Sequence, residues 1–248
     1  MSMPRKIRCA VAGITDHGDR VYTVDLEPAV PVPAFRPGQF LHLTVDDYDP
    51  AGFWPESRVF SIASSPKHRD RLRLCYAVKG RYTARMEAEL VPGRAVWVKL
   101  PYGDFVIDSS QDAVLLAGGT GLTAFTAFLE NLEPDPCRSV FLAYGARTPA
   151  LFLFQDLLRA RLETVPGFSV LFFAETPDPG FSEAVAGWPR SPRCLAGRLD
   201  AGRILQELNA GASRAVYLSG PPAMLTALTM DLRAKGVPAG QIRIDAWE

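Results

Sequence analysis

Two stretches of this 248-residue chain could hold a phosphate with little more than backbone. In VLLAGGTGLTAF, Gly118, Gly119, Thr120 and Gly121 stand between an apolar run and a helical segment that begins near Leu122. Glycine allows a tight turn and a close approach to a ligand, while free amides and the helix dipole present a positive end to a pyrophosphate. The spacing is not GxGxxG, and for such a turn alone a plain strand-to-helix connection is an equal alternative. LSGPPAML sets Ser219, Gly220 and Pro221 at the end of a second apolar run. Its prolines could also do no more than open the following helix.

A third stretch offers side chains. RVFSIASSP carries Arg58, Val59, Phe60 and Ser61 on one short strand. Alternation puts Arg58 and Phe60 on one face and Ser61 on the other unless the strand bends. Some twenty residues on, KGRYTARM sets Lys79, Gly80 and Tyr82 before and beside Thr83, read as the head of a helix over Thr83 to Leu90. Amides and a hydroxyl there could take a phosphate, with Arg58 as a bidentate partner. Taken singly, Arg58 also suits a solvated strand position and Thr83 a simple helix cap.

The elements that must position these groups follow from hydrophobic period. Up to about Ile107, the segments KIRCAVAGIT, RVYTVDLEP, QFLHLTVD, RVFSIASS, RLRLCYAV and AVWVKLP alternate in the manner of strands. Turn formers such as His17-Gly18-Asp19, Arg36-Pro37-Gly38 and Val91-Pro92-Gly93 separate them, which favours an antiparallel β-barrel. Beyond Asp108, continuous apolar runs (DAVLLAGG, SVFLAYGAR, FSVLFFAE, RAVYLSG) alternate with helical segments (LTAFTAFLENL, ALFLFQDLLRARLE, DAGRILQELN, PAMLTALTMDLRAKG), and QIRIDAWE closes with a short strand. That grammar predicts a doubly wound parallel sheet with a ligand crevice at the carboxyl ends of its strands. The expected domains are residues 1–108 and 109–248.

Composition sets bounds on function. Hydrophobic residues make up 48% and charged residues 22%, ordinary for a globular chain. The 27 basic and 27 acidic residues cancel, which argues against nucleic acid as a partner. The N-terminus lacks a signal-peptide pattern and no run is long and apolar enough to span a bilayer, so a cytoplasmic location is expected. Cys9, Cys75, Cys137 and Cys194 lie too far apart to hold a metal or an iron-sulfur cluster, and no metal site is expected.

Taken together, RPGQF (Arg36 to Phe40), RVFSIASSP (Arg58 to Pro66), KGRYT (Lys79 to Thr83), PYGDF (Pro101 to Phe105), AGGTGLTAF (Ala117 to Phe125), YGAR (Tyr144 to Arg147) and LSGPPAML (Leu218 to Leu225) resemble the ferredoxin-NADP reductase superfamily. The resemblance covers nearly the whole chain, with the motifs in one order. It implies an N-terminal antiparallel β-barrel that binds FAD and a C-terminal parallel-sheet domain that binds NADH or NADPH. Arg58 would bind flavin phosphate, Phe60 would pack on the flavin, and Ser61 would hydrogen-bond near its N5. Val59, Tyr76, Val78, Lys79, Gly80, Tyr82 and Thr83 complete the implied flavin site. Gly119, Thr120, Gly121, Arg147, Gly220 and Pro221 would receive the nicotinamide nucleotide, with Ser219 beside its ring.

Three positions depart from the family pattern. Phe60 stands where many relatives have tyrosine, Ser219 where many have cysteine, and Trp247 where an aromatic or a short tail meets the flavin. Trp247 is read either as stacking on the flavin ring, in a catalytic position, or as capping the core. Ala174-Glu175-Thr176 replaces the Ser-Arg pair of phosphate-binding relatives. A carboxylate suits a free ribose hydroxyl, which favours NADH, with Arg147 as the contrary sign. The resemblance implies a reductase that passes electrons to a ferredoxin, a flavodoxin or an oxygenase component. A flavin reductase using free flavin and a non-catalytic regulatory subunit are the alternatives.

Overall fold

The computed structural model describes residues 3–208 and 214–245. Its first sheet is antiparallel and contains β1 (Arg5–Asp16), β2 (Val21–Pro28), β3 (Phe40–Thr44), β4 (Arg58–Ser61), β5 (Leu72–Ala77) and β6 (Ala95–Tyr102), in the order β4-β3-β6-β1-β2-β5. The sheet curls into a nearly closed barrel, and the Ala63 amide just beyond β4 donates to the Arg73 carbonyl of β5 at 2.8 Å. Alternation works as expected along β1, where Ile7, Cys9 and Val11 are buried and Lys6, Arg8 and Ala10 face outward. Helix α1 (Arg81–Glu89) adds Tyr82 and Met86 to the barrel core. The RPGQF and PYGDF segments interlock through the buried Gln39. Its side chain accepts from the Arg36 amide at 2.8 Å and donates to the Gly103 carbonyl at 3.0 Å.

The second sheet is parallel, in the order β10-β9-β8-β7-β11-β12. Its strands are β7 (Ala113–Gly118), β8 (Val140–Ala146), β9 (Phe168–Ala174), β10 (Arg193–Ala196), β11 (Ala215–Ser219) and β12 (Ile242–Ile244). Helices α2 (Thr123–Glu130), α3 (Gln155–Thr164), α4 (Pro179–Ala186), α5 (Ala201–Glu207) and α6 (Pro222–Ala234) connect them. Every residue of β7 is buried, as a central parallel strand covered on both faces requires. The chain builds outward from β7 to β10 and returns to β11 on the other side, so the two glycine turns fall where strand order reverses.

By contacts the chain forms two compact units, Met1–Val106 with Thr123–Glu130, and Ile107–Leu122 with Asn131–Glu248. A barrel followed by a doubly wound sheet is the architecture the hydrophobic pattern implies. Among the described residues no helix is long and apolar enough to cross a membrane.

Four elements differ from the reading of the sequence. The first helix starts at Arg81, so Thr83 is its third residue and Gly80 its cap. The helix expected over 150–163 begins instead as a 3-10 turn at Pro149–Leu151, breaks, and resumes at Gln155 after Phe154 at φ 55°. Burial overrides helical period here, because Phe152 packs against Tyr144, Phe172 and Phe181, while the Tyr144 hydroxyl accepts from the Leu153 amide at 3.0 Å. Helix α4 and strand β10 were not expected from a stretch rich in proline and glycine. Pro179 opens α4, the Asp178 carboxylate caps it by accepting from the Gly180 amide at 3.0 Å, and β10 is a four-residue edge strand held only by β9.

Candidate functional site

At the barrel mouth the organising residue is Tyr82. Its buried hydroxyl accepts from the Val45 amide at 3.1 Å and shares its proton between the carbonyls of Leu43 (3.2 Å) and Glu56 (3.1 Å). Burial pushes this phenol up from its ordinary value, so it stays protonated and able to donate at neutral pH. The Asp46 to Ser57 loop is thereby tied to β3 just before Arg58. Cross-strand pairing sets Arg58 opposite Leu43 and Phe60 opposite Leu41, on one face as alternation requires. Phe60 fills the barrel core and faces Tyr76 with ring centroids 6.2 Å apart. Arg58 reaches the mouth, with its guanidinium 4.6 Å from the centre of the Tyr82 ring.

The Arg58 guanidinium also meets the Glu56 carboxylate at 2.9 Å and donates to the Ser57 carbonyl at 2.8 Å. Arg81 approaches the other oxygen of the same carboxylate at 3.4 Å. Ser61 and Tyr76 are buried, and Val59 and Val78 half-buried. The Thr83 hydroxyl is turned inward on its own turn. It accepts from the amides of Lys79 (3.0 Å) and Gly80 (3.1 Å) and donates to the Gly80 carbonyl (3.1 Å). Thr83 thus shapes this turn, which carries the exposed side chains of Lys79 and Arg81, with Arg58 on β4 close to the latter through Glu56.

In the parallel-sheet unit the two glycine turns touch. A Cβ on Gly121 would lie 2.3 Å from the Ser219 carbonyl oxygen, so only glycine permits this approach. Gly220 packs against the first turn as well, less tightly, since a Cβ there would stand 3.1 Å from the Gly118 backbone. Gly119 is different: it has φ +54°, and a Cβ on it would meet nothing within 4 Å. Its backbone borders open space while its neighbours pack turn against turn. Gly119 and Thr120 belong to the 3-10 turn Gly119–Leu122 that leads into α2, and Pro221 is exposed just before α6.

Ser219 is buried, and its hydroxyl donates to a carboxylate oxygen of Asp245 at 2.9 Å. The parallel pairing of β12 with β11 brings them together, and the Asp245 amide donates to the Leu218 carbonyl at 2.9 Å. At the carboxyl ends of β8 and β9, Arg147 is exposed and its carbonyl accepts from the Thr176 amide at 2.8 Å. Beside it, Glu175 pairs with the exposed Arg198 at 3.0 Å. Trp247 lies outside the described residues.

Residues 115–229 match the family described as the oxidoreductase NAD-binding domain. Over 97% of its length the chain is 29% identical to the reductase component of propane 2-monooxygenase from Rhodococcus jostii (strain RHA1), of which it covers 63%. A cytochrome P450 reductase of Amycolatopsis superposes with a TM-score of 0.80 at 23% identity, over 98% of this chain and 69% of that one. Residues 115–229 are thus an oxidoreductase NAD-binding domain, and the chain has the fold of ferredoxin reductase-like proteins. Another relative within reach of this superfamily fold is the flavohemoprotein of Rhizobium meliloti (strain 1021), 30% identical over 65% of this chain and 42% of that protein. The FAD/NAD-binding domain of a Vibrio cholerae nitric oxide dioxygenase has a TM-score of 0.75 at 19% identity and is covered over 97% of its length. At such identities structural likeness speaks for the superfamily fold alone. The chain spans 42% and 63% of the two curated relatives named here.

Four residues around these sites escaped the sequence reading: Glu56, Arg81, Arg198 and Asp245. Arg81 lies inside KGRYT and Glu56 two positions before Arg58, so both were within sight of a motif. Arg198 and Asp245 carry no local signal, because strand pairing alone brings them to Glu175 and Ser219.

Proposed function

We propose that this chain is an FAD-dependent NAD(P)H oxidoreductase that draws electrons from a nicotinamide dinucleotide and hands them to a separate electron-transfer protein or oxygenase component. The observation that carries this reading is the pair of abutting glycine turns at the ends of β7 and β11. Their mutual packing leaves the Gly119 backbone bordering open space within the segment that matches NAD-binding domains. Residues 1–108 would serve the flavin and 109–248 the nicotinamide nucleotide.

The residues present fit both groups. For a flavin phosphate the barrel offers paired guanidiniums, the donor set that suits phosphate oxygens. For a pyrophosphate the sheet offers a backbone that a Cβ would not obstruct at Gly119, with Thr120 and Gly121 beside it, ahead of a helix. When bound, the flavin supplies the redox chemistry. Arg58 would hold its phosphate, with Val59, Phe60, Tyr76, Val78, Lys79, Gly80, Tyr82 and Thr83 shaping the mouth. Ser61 would donate toward the flavin ring. Gly220, Pro221 and Ser219 would flank the nicotinamide, the last held in place by Asp245. Glu175 suits a free ribose hydroxyl and opposes a 2'-phosphate, so NADH is the preferred donor, although Arg147 and Arg198 stand near.

The relatives named as monooxygenase and dioxygenase reductase or electron-transfer components support an oxygenase as acceptor. The four cysteines, none in a disulfide, support a cytoplasmic setting. The test is anaerobic addition of NADH to purified protein while the flavin band at about 450 nm is followed, a property of the cofactor. Bleaching supports the proposal, and a yellow protein that does not bleach refutes it. Flavin lost on gel filtration would show that flavin is a diffusing substrate.

A further inference from the structure

We infer that Arg81 is a second guanidinium for the flavin diphosphate, and the residue by which this barrel prefers a dinucleotide flavin to a mononucleotide one. The inference rests on the flavoprotein reading above and assigns the chemistry of that same mouth.

Arg58 on β4 and Arg81 at the first residue of α1 come from different elements, yet both reach the Glu56 carboxylate. Arg58 stands 2.9 Å from one oxygen and Arg81 3.4 Å from the other. Two cations on the two oxygens of one carboxylate leave an excess positive charge at this mouth, supplied from two separate elements. A guanidinium has five N–H donors, and the contacts of Arg58 with Glu56 and Ser57 leave it capacity for phosphate. Its plane is already set by the Tyr82 ring, which favours bidentate contact with one phosphoryl group.

The flavin mononucleotide has one phosphoryl group, which Arg58 can serve alone. The dinucleotide has two joined through one oxygen, and the second needs its own cation. Arg85 also nears the Tyr82 ring, at 5.8 Å, but is committed to Asp46 at 2.7 Å and Glu89 at 3.0 Å. Arg81 is 84% exposed and its contact with Glu56 is the longest of the set, so it can turn to a ligand. The neighbouring Lys79 is exposed too, but only Arg81 shares a carboxylate with Arg58 and offers a planar fork for a phosphoryl group. An ion pair this exposed contributes little to the fold. Glu56 then competes with the diphosphate for both guanidiniums.

The experiment titrates the whole chain, stripped of flavin, with FAD and with FMN, following quenching of flavin fluorescence, for the parent, Arg81→Ala and Glu56→Gln. Arg81→Ala should weaken FAD about tenfold, the scale of one charge-assisted contact. FMN affinity should stay within about twofold, as removal of a screened surface charge allows. Glu56→Gln, which removes the competing charge, should tighten FAD by about threefold. Equal losses for both flavins, or an unchanged FAD affinity in Arg81→Ala, would overturn the inference. So would a loss in Glu56→Gln that matches Arg81→Ala, because Arg81 would then act by holding the loop. A parent chain that binds neither flavin refutes the flavoprotein reading itself.

Discussion

Replacing Ser219 by alanine removes the hydroxyl that donates to Asp245 at 2.9 Å, while the backbone beneath Gly121 is untouched. Ser219 is 3% exposed and Asp245 7%, so water cannot readily replace the lost donor. A hydrogen bond to a charged group contributes about 1.5–3 kcal/mol. We therefore expect Ser219→Ala to destabilise by about 2 kcal/mol, which for a chain of this size lowers Tm by about 4–8 °C. Ser219→Cys, whose thiol is a weak donor, should fall between the two. Asp245→Asn keeps an acceptor at the same place and should cost less. The decisive measurement is the cycle of Ser219→Ala, Asp245→Asn and the double variant, by thermal unfolding under one set of conditions. If the effects add to within about 0.5 kcal/mol, the two side chains are not coupled and the reasoning is wrong.

Four other outcomes follow from the geometry. Arg58→Ala should lower flavin retention at least tenfold, about the scale of a charge-assisted phosphate contact, yet shift Tm by no more than about 4 °C, since it loses only a surface ion pair and a ring contact; unchanged flavin content would count against the barrel site. Gly121→Ala should destabilise by about 3 kcal/mol through the Ser219 carbonyl, and Gly119→Ala by about 1 kcal/mol through its left-handed backbone. Both would be read by denaturant midpoint, and the reverse ranking would refute the account of the turns. Glu175→Ala should raise kcat/KM for NADPH relative to NADH by about tenfold, because one repulsive charge is removed, whereas an unmoved ratio would place the adenosine end elsewhere. Finally, burial first and then Lys99 depress the His42 pKa, and burial depresses that of His17 against the pull of Asp16. Their neutral forms are favoured by folding, so stability is full above the ordinary value of 6.5 and declines as pH falls through it. His42→Asn should flatten part of that acid slope in denaturant midpoints, and an identical slope would show that other groups set it.

The parts of this molecule legible in its sequence are those where one local rule acts alone. Strand β7 could be read as buried and parallel because its apolar run is unbroken, and β1 as a barrel strand because Ile7, Cys9 and Val11 alternate with Lys6, Arg8 and Ala10. The glycine turn was visible as a turn, but its division of labour was not. That Gly121 packs on Ser219 while Gly119 borders open space depends on where β11 lies. Phe152 looked helical by period, and only the ring cluster around Tyr144 shows why the helix yields there. Glu56 and Arg81 meet because Tyr82 pins the loop from below, a tertiary fact with no spacing of its own. Thr83 was seen as a group that could take a phosphate, and its hydrogen bonds to the Lys79 and Gly80 amides, which also shape the turn, depend on a backbone path that spacing does not reveal.

Helix α2 has a consequence for how the chain is made. Its eight residues follow the first parallel strand, yet they belong with the barrel unit, and seven of them are buried. During synthesis the ribosome releases the barrel strands first, but their packing partner arrives only with residues 123–130. The contacts of the barrel unit are therefore completed only after β7 has been made, although its own core, from Ile7 to Leu100, contains no residue of α2. A gene cut near residue 108 would give a first product that keeps the barrel core but lacks α2, leaving the apolar surface that α2 meets, Phe105 among it, open to solvent.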